Sequence, residues 1–361
     1  MEKTMPQVSI EYTADQLSAI EIAVDGFRNG LELTIVGGFA GTGKTTIIKE
    51  IVDRVRNLQV VTFTGKASSV IRSKGVDSQT IHSTIYEYDP ECDDFFLRTS
   101  VECDGFIIDE ASMVSTELYT DLQTFGLPIL AVGDPGQLEP IGDASVNLME
   151  EPDITLTEIH RQAKFSEIIN LATRIRTEGA FGLPLQEKPG CIVARASRLG
   201  DELSWPDIIL CGYNKTRQLI NQRRRSLYGY RETVCVGDKL ICLQNDKKLG
   251  VFNGMIFTVV KIFTKGKVHE CLVKLGDDTL RRLSFWTKGL EDPEKLTDYR
   301  ATRGLRGETV VADYAQGITV HKSQGSEWER GSVINQTAKW DQTRWLYTAV
   351  TRFSKELRLY I

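Results

Sequence analysis

The residues best suited to chemistry lie in a glycine-rich stretch near the start of the chain. Its sequence fits the phosphate-binding loop pattern of a glycine, four residues and then Gly-Lys-Ser/Thr: Gly38-Phe39-Ala40-Gly41-Thr42-Gly43-Lys44-Thr45. Glycines let backbone N–H groups approach phosphate oxygens, the lysine reaches the β- and γ-phosphates, and the threonine hydroxyl ligates Mg²⁺. The pattern therefore predicts a nucleoside triphosphate site, without saying what the nucleotide's energy drives.

Two adjacent carboxylates, Asp109 and Glu110, follow the apolar run 105–108. We predict that Asp109 holds Mg²⁺, directly or through water, and that Glu110 polarises the attacking water as a general base. Gln137 follows another apolar strand, where it either senses the γ-phosphate or is a surface amide in a tight turn. An Asp-Glu pair is common by itself. The predicted roles of Asp109 and Glu110 therefore depend on the phosphate loop that precedes them in the chain.

The elements that must position these groups alternate between strand and helix. Residues 33–36 are typical of a buried strand before the loop, and residues 45–55 of an amphipathic helix after it. The run 59–64 begins the same unit again, which puts Thr64 and Lys66 at the carboxyl end of a strand. This repetition predicts an α/β fold with a parallel doubly wound sheet, and such sheets bind ligands at that edge.

Two polar residues stay ambiguous from the sequence alone. Gln16 lies in the first turn of a helix that runs to about residue 27, with Thr13 as its N-cap. Its amide either reads an adenine edge or is solvated, and the residue by itself favours the solvated reading. His82 opens a short helix and, taken alone, is typical of a structural polar residue.

Residues 87–103 interrupt the α/β pattern. The segment is acidic and contains a proline and the aromatic pair Phe95 and Phe96, which indicates an excursion out of the sheet and suggests a short hairpin. The two rings either form a wedge against a base pair or fill a small satellite core. Without further context the sequence favours the core.

A second α/β unit begins near residue 153 and includes a basic helix at 214–227. Charge runs are usually solvated, but this one is also compatible with the flank of a nucleic-acid groove. Residues 235–310 then form a set of short strands with a turn signal at 252–255, which predicts a small inserted β-barrel. The basic residues of the helix are Lys215, Arg217, Arg223, Arg224 and Arg225.

Composition sets broad limits on these predictions. The 361 residues are enough for two or three domains, and the net charge of −5 is weak evidence against nucleic-acid binding because grooves are local. The seven cysteines include no Cys-x-x-Cys pair, which predicts reduced thiols in a cytosolic protein. We find no signal peptide and no apolar run long enough to span a bilayer, so a cytoplasmic protein without membrane contact is expected.

Taken in order, these motifs resemble those of superfamily 1 helicases of the 5′-to-3′ branch, closest to the RecD and phage Dda type. The similarity covers nearly the whole chain. Its most specific parts are Val320-His321-Lys322-Ser323-Gln324-Gly325 and Thr348-Ala349-Val350-Thr351-Arg352. The matching stretches are 38–45, 63–67, 109–113, 133–138, 159–162, 319–325 and 347–352.

The resemblance implies two RecA-like P-loop NTPase domains, each built on a parallel sheet. The first would span residues 1–150, with 87–103 in the place of a strand-separating pin. The second would combine 151–234 with 308–361. The segment 235–307 would be an inserted SH3-like β domain.

The same resemblance assigns roles to individual residues and implies ATP and Mg²⁺ as cofactors. Arg161 and Arg352 become arginine fingers contributed by the second domain, and Gln16 becomes an adenine reader. The implied catalytic set is Lys44, Asp109, Glu110, Gln137, Arg161 and Arg352, with Thr45 and Asp109 as metal ligands. The implied nucleotide contacts are Gln16, Gly38, Ala40, Gly41, Thr42, Gly43, Lys44, Thr45, Thr46, Gly325 and Glu327. The implied DNA contacts are Thr64, Lys66, His82, Phe95, Phe96, Thr319, His321 and Lys322.

The implied function is ATP-driven movement along single-stranded DNA in the 5′-to-3′ direction, with unwinding of forked duplex DNA. A monomer is expected, with replication or recombination proteins as candidate partners. An alternative is a single-stranded-DNA-binding subunit that ATP switches without unwinding. Another P-loop ATPase acting on RNA or protein fits the last two motifs less well.

Overall fold

The computed structural model describes residues 11–361 except 90–93, 140–146, 160–165, 247, 276–278, 293–304, 306 and 337–340. Arg161 and the side chain of Lys66 lie outside the described part, so their predicted roles stay predictions. The helices are α1 (Ala14–Arg28), α2 (Lys44–Arg54), α3 (Gly65–Ser73), α4 (Ile81–Ile85), α5 (Thr116–Gln123), α6 (Glu167–Glu178), α7 (Asn214–Leu227), α8 (Thr287–Glu291), α9 (Val320–Ser323) and α10 (Gln342–Val350).

The strands are β1 (Leu33–Gly38), β2 (Leu58–Thr62), β3 (Ser78–Thr80), β4 (Tyr86–Asp89), β5 (Asp94–Leu97), β6 (Gly105–Asp109), β7 (Ile129–Gly133), β8 (Ile154–Leu156), β9 (Gln186–Lys188), β10 (Cys191–Ala194), β11 (Ile208–Cys211), β12 (Lys239–Cys242), β13 (Ile256–Thr264), β14 (Val268–Lys274), β15 (Leu280–Trp286), β16 (Ala312–Tyr314), β17 (Gly317–Thr319), β18 (Trp328–Ile334) and β19 (Phe353–Tyr360). Short 3₁₀ turns lie at Ala111–Met113 and Ala196–Glu202.

The first sheet has the order β3-β2-β6-β7-β1-β8, and its neighbouring strands are parallel. Alternate residues of β6 face opposite cores: Ile107 packs with α1 and α2, whereas Phe106 and Ile108 pack with α4 and α5. Helices therefore cover both faces, as a parallel sheet requires. The polar ends of β1, β2 and β6 meet at one edge of this sheet.

The second sheet has the order β17-β11-β18-β19-β10-β9 and is parallel apart from β9, which runs antiparallel to β10. Helices α6 and α10 pack into its core through residues that include Ile175 and Trp345. The predicted α/β class with two parallel-sheet domains is confirmed. Leu138, from the turn after β7, also packs in this second core. The predicted domain limits themselves stay a prediction.

The inserted segment forms an antiparallel sheet of order β15-β14-β13-β12-β16 around buried Phe257 and Phe285. Val310, just before β16, exchanges backbone hydrogen bonds with β15, donating to Ser284 (2.7 Å) and accepting from Trp286 (3.1 Å). The segment 310–314 thus contacts both edges of the sheet and closes it on itself. The description of this unit as SH3-like stays a prediction.

The excursion after α4 is a hairpin of β4 and β5, in which Glu87 lies opposite Phe96. Adjacent residues of a strand face opposite sides. Phe96 is 51% exposed and Phe95 is half-buried, so Phe96 does not fill the satellite core that the sequence favoured. The hairpin is confirmed, and its action as a strand-separating pin stays a prediction.

The basic helix α7 is not simply a solvated face. Arg217 and Arg224 are buried: Arg217 pairs with Asp313, and Arg224 donates to the backbone oxygen of Gln316 (2.6 Å). Arg225 pairs with Asp238 (2.8 Å). These three arginines join α7 to β16 and to the segments just before β17 and β12, so their side chains bind partners within the protein.

Two expectations from composition concern cysteines and membranes. The described cysteines are free thiols, and Cys191, Cys211, Cys242 and Cys271 are buried, while Cys92 lies outside the described residues. Within the described ranges, none of the helices combines the length and the apolar character that crossing a bilayer requires.

Candidate functional site

The phosphate loop connects β1 to α2 and takes a shape that depends on glycine. Gly41 and Gly43 have φ angles of +80° and +83°, in the left-handed region that favours glycine. A Cβ on Gly38 would lie 2.9 Å from Cγ of Lys44. Because α2 begins at Lys44, its free N–H groups point towards the loop, where they favour anions.

The acidic pair turns both carboxylates into the same cleft. Asp109 ends β6, and Glu110 has φ of +57° and ψ of +43°, a left-handed conformation that a side chain rarely adopts. Both residues line the cleft beside the phosphate loop, although successive residues of a straight strand would face opposite sides. Strained backbone of this kind concentrates at functional sites.

The electrostatics of the pair fit a bound cation. Burial, with the neighbouring charge of Glu110, raises the pKa of Asp109 to about 6, and Lys44 opposes the shift. Oε2 of Glu110 and Oε1 of Gln137 are buried and have no hydrogen-bond partner among the described residues. Oxygen ligands and partnerless buried acceptors suit Mg²⁺ and its waters.

The second sheet supplies the other wall of this cleft, which has a volume of about 590 Å³. Arg352 lies between α10 and β19, is 5% exposed, and donates from Nε to the backbone oxygen of Thr348 (3.2 Å). The predicted nucleotide-site residues that line the cleft are Ala40, Gly41, Gly43, Lys44, Thr45, Thr46, Asp109, Glu110, Gln137, Gly325, Glu327 and Arg352.

Three residues of the predicted nucleotide set do not line the cleft: Gly38, Thr42 and Gln16. Gly38 accepts from Nζ of Lys44 through its backbone oxygen (2.8 Å), and the Thr42 hydroxyl donates to the backbone oxygen of Phe39 (2.8 Å). Both residues therefore shape the loop from within.

Gln16 is fully buried rather than solvated, which corrects the reading that the residue alone favoured. Its Oε1 accepts from the backbone N–H of Thr13 (3.0 Å), and its Nε2 donates to the backbone oxygen of Thr42 (2.9 Å). The first bond completes a capping box, which satisfies a free donor at the start of α1. In this geometry the amide braces the phosphate loop, and the adenine-reading role stays a prediction.

A groove of about 950 Å³ lies beside the cleft and runs over both parallel sheets and the β insert. It brings together six of the predicted DNA-contacting residues: Thr64, His82, Phe95, Thr319, His321 and Lys322. Phe96 does not line it. Phe95 is thus placed for contact with a ligand in the groove, and which of Phe95 and Phe96 would act as the pin stays a prediction.

Sequence reasoning missed part of the groove wall. Phe63, Tyr86, Asn245, Phe252 and Met255 also line the groove. Phe252 approaches the first sheet closely, because a Cβ on Gly65 would lie 3.3 Å from its ring. The turn signal at 252–255 predicted a hairpin, but nothing local indicated which domain that turn would contact.

Burial also sets the charge of the groove. It lowers the pKa of His321 below its usual value of 6.5, so this imidazole is neutral at pH 7. It lowers the pKa of Lys322 as well, with a smaller contribution from Arg217 in the same direction. Lys322 therefore loses its proton at a lower pH than an exposed lysine.

One loop separates the cleft from the groove. Ser326 lines both, and Gly325 lines the cleft with a φ of +66°. A Cβ on Gly325 would lie 2.7 Å from Oγ1 of Thr64 and 3.7 Å from Sδ of Met113. The loop of the second sheet therefore packs against the first sheet at the point where the two cavities meet.

Family models match most of the two parallel-sheet regions. One described as AAA domain matches residues 11–195, and one described as UvrD-like helicase C-terminal domain matches residues 314–360. Two parallel sheets with a phosphate loop at their junction define a P-loop nucleotide-binding protein. The chain belongs to the AAA-domain family, and its C-terminal region is similar to the UvrD-like helicase C-terminal domain.

Curated relatives are similar over most of this chain. Conjugal transfer protein TraA of Agrobacterium fabrum is 26% identical over 96% of this chain and 32% of its own length. Protein MJ1519 of Methanocaldococcus jannaschii is 35% identical over 91% of this chain and 36% of its own length. The ATP-dependent DNA helicase dda of Enterobacteria phage T4 is 26% identical over 46% of this chain and 43% of its own length. The chain thus spans about a third of the first two relatives.

Solved structures share the fold. The Pif1 helicase from Bacteroides, in complex with ADP-AlF3 and single-stranded DNA, aligns with a TM-score of 0.60 and 18% identity over 97% of this chain and 92% of that one. The Pif1 helicase from Candida albicans aligns with a TM-score of 0.54 and 18% identity over 98% and 94%. At these identities the similarity shows the fold alone.

Proposed function

We propose that this chain is an ATP-dependent DNA helicase that moves 5′-to-3′ along single-stranded DNA and unwinds duplex DNA. The observation that carries the proposal is the shared wall between the cavities. Ser326 lines both the charged cleft and the groove, and Gly325 beside it packs on Thr64 of the first sheet. A change in the separation of the two sheets therefore alters both cavities together.

In the cleft, Lys44 holds the β- and γ-phosphates of ATP, and Thr45 and Asp109 hold Mg²⁺. The metal ion, when bound, neutralises phosphate charge. Glu110 accepts the proton of the attacking water, a role that its buried and partnerless Oε2 supports. Gln137 is the proposed γ-phosphate sensor in the same cleft, and its partnerless Oε1, an acceptor, is suited to accept a hydrogen bond from the attacking water rather than to bond a phosphate oxygen.

Arg352 couples hydrolysis to closure of the cleft. It comes from the second sheet, whereas the phosphate loop belongs to the first, so its distance from the γ-phosphate depends on how the sheets are arranged. A guanidinium at that position stabilises charge that develops in the transition state. Arg161, which lies outside the described residues, is the second proposed arginine finger.

The groove holds single-stranded DNA without reading its sequence. Phe95, Phe252 and His82 are aromatic residues of its wall, and stacking of bases on aromatic side chains tolerates any base. Lys322 supplies a phosphate contact, and such contacts fix position without specifying sequence. Stacking and backbone contacts together support a translocase that works on any sequence.

Polarity and unwinding are tested with forked duplexes that carry a single-stranded tail at only the 5′ or only the 3′ end, with ATP present. We expect unwinding of the 5′-tailed substrate and none of the 3′-tailed one, and the opposite preference would contradict the proposed direction. Lys44→Ala is the matched inactive control.

The alternative is an ATP-switched single-stranded-DNA-binding subunit without unwinding. DNA affinity that depends on ATP, together with no unwinding of either substrate, would favour it. The catalytic constellation of Glu110 and Arg352 in one cleft supports the helicase instead.

We propose roles in DNA replication, recombination or repair, with the chain acting as a monomer on forked DNA beside replication or recombination proteins. The similarity to TraA adds conjugal transfer as a further setting.

A further inference from the structure

Tyr347 of α10 joins the second sheet to the phosphate loop of the first. Its ring is 2% exposed, and its hydroxyl accepts a hydrogen bond from the backbone N–H of Ala40 (3.0 Å). The same hydroxyl donates to Oδ2 of Asp134 (2.7 Å), in the turn after β7. Burial raises the pKa of Tyr347 well above its usual value, so the hydroxyl keeps the proton that it donates.

The turn that follows β7 is held to the second sheet by further bonds. Leu138 donates its backbone N–H to Oγ1 of Thr348 (2.9 Å), and its backbone oxygen accepts from Nε2 of Gln324 (3.0 Å). A Cβ on Gly136 would lie 3.0 Å from Cε1 of Tyr347, which shows how closely the turn packs on the ring. The turn that carries Gln137 is therefore attached to α10 and to the rest of the second sheet's domain.

Arg352 is connected to Tyr347 through the last turn of α10. The Thr351 hydroxyl donates to the backbone oxygen of Tyr347 (2.9 Å), and Nε of Arg352 donates to the backbone oxygen of Thr348 (3.2 Å). These two bonds fix the guanidinium to the same turn that carries the tyrosine. Ala40 faces the cleft from the loop at one end of this path, and Arg352 faces it at the other.

We infer that Tyr347 is a positioning residue that sets the distance between the phosphate loop and Arg352 by hydrogen-bonding Ala40 and Asp134. The inference rests on the proposed arginine-finger role of Arg352. Tyr347 does not line the cleft, so it acts through Arg352 and the loop rather than by touching the nucleotide.

The test is a set of hydrolysis rates for the intact chain with saturating single-stranded DNA. Tyr347→Phe keeps the ring and removes the hydroxyl, and we expect kcat to fall about 10- to 100-fold. We expect the KM for ATP and the affinity for a fluorescent ATP analogue to change less than about threefold, because the lost bonds do not contact the nucleotide. Tyr360→Phe is the matched control, since Tyr360 is equally buried and its hydroxyl bonds Glu202 away from the cleft.

The decisive comparison repeats the substitution in Arg352→Ala, followed by single-turnover hydrolysis so that slow rates stay measurable. If Tyr347 acts through Arg352, the hydroxyl matters little in that background, and the double variant stays within about twofold of Arg352→Ala. An equal fractional loss in both backgrounds, or a raised KM with unchanged kcat, would overturn the inference. The Arg352→Ala single variant reports separately on the arginine finger, because unaltered turnover there contradicts the proposed function and not the Tyr347 contacts.

Discussion

The nucleotide cleft and the neighbouring groove are built from different kinds of side chain. The charged residues of the cleft are Lys44, Lys74, Asp109, Glu110, Glu327 and Arg352. Among the described residues that line the groove, the lysine and carboxylate side chains are those of Lys322 and Glu117, and the rest are aromatic, apolar, imidazole, amide, hydroxyl or glycine. The cleft is thus suited to a ligand of fixed, concentrated charge, and the groove to one that presents flat faces.

This difference explains how the two sites would respond to substitution. A buried charge acts on one bond of the nucleotide, so its loss changes the rate of chemistry. A ring in the groove contributes one contact among several, so its loss weakens binding and leaves chemistry intact.

Lys44→Ala should have the largest effect, with loss of ATP hydrolysis, native circular dichroism and retained single-stranded-DNA binding. The proposed role of the lysine is to bind phosphate charge, and its side chain does not pack in the core. Among the described residues, its Nζ donates only to backbone oxygens of the phosphate loop. Lys49→Ala is the matched control, because Lys49 is an exposed residue of the same helix that does not line the cleft. Steady-state ATPase with DNA present measures both, and near-normal turnover in Lys44→Ala would remove the phosphate-loop assignment.

Glu110→Gln should keep Mg²⁺-dependent binding of ATP and slow hydrolysis about 10²- to 10⁴-fold, because an amide does not accept the proton of the water. The amide is close in size to the carboxylate, so the left-handed turn at residue 110 is preserved. Rapid-quench hydrolysis measures the rate, and a fluorescent ATP analogue measures binding. Turnover at the wild-type rate would show that Glu110 is not the base.

Phe252→Ala should weaken binding of single-stranded DNA about tenfold to a hundredfold, because stacking on one aromatic ring is lost, while hydrolysis at saturating DNA stays at the wild-type rate. Phe181→Ala is the control, since this ring is exposed, does not line the groove and is not among the predicted DNA contacts. Fluorescence anisotropy with labelled DNA measures both. Equal weakening by the two substitutions would contradict the assignment of the groove wall.

The smallest expected effect is a dependence of DNA binding on pH. Burial lowers the pKa of Lys322, so its positive charge is lost as the pH rises through that lowered value, at a lower pH than for an exposed lysine. DNA affinity should therefore decline several-fold towards alkaline pH in the wild-type protein and stay flat in Lys322→Gln. Because the pKa of His321 also lies below its usual value, His321→Gln should change affinity little at pH 7. The same alkaline decline in Lys322→Gln would assign the titration to another group.

The part of the nucleotide cleft that the first sheet supplies was accessible from the sequence, because its residues are close together in the chain. The phosphate loop and the Asp109–Glu110 pair are each contiguous, and each follows a strand whose apolar residues are easy to read. The left-handed backbone at Glu110 was not predictable, because neither side chain nor spacing demands it. The capping role of Thr13 was predicted and is confirmed. The hydrogen bond from Gln16 to Thr42 was not predicted, because it depends on how α1 packs against the phosphate loop.

The residues that connect the two sheets were harder to predict because their partners are distant in sequence. Tyr347 lay within a recognised motif, but its bonds to Ala40 and Asp134 exist only after both sheets have folded. Phe252 belonged to a predicted turn whose position over Gly65 depends on how the insert docks. The arginines of α7 looked like a charge run because their buried acidic and carbonyl partners come from other segments.

The coupling of the cleft to the groove is tested most directly by a titration of single-stranded DNA against ATPase rate for Arg352→Ala and Lys322→Ala. We expect Arg352→Ala to lower the plateau about 10³-fold or more at an unchanged DNA midpoint, with poor rescue by lysine, which lacks the planar fork that matches phosphate oxygens. We expect Lys322→Ala to shift the midpoint to higher DNA concentration and to reach the wild-type plateau. If Arg352→Ala only shifts the midpoint and reaches the wild-type plateau, Arg352 belongs to the DNA track and the proposed coupling of the cleft to the groove is wrong.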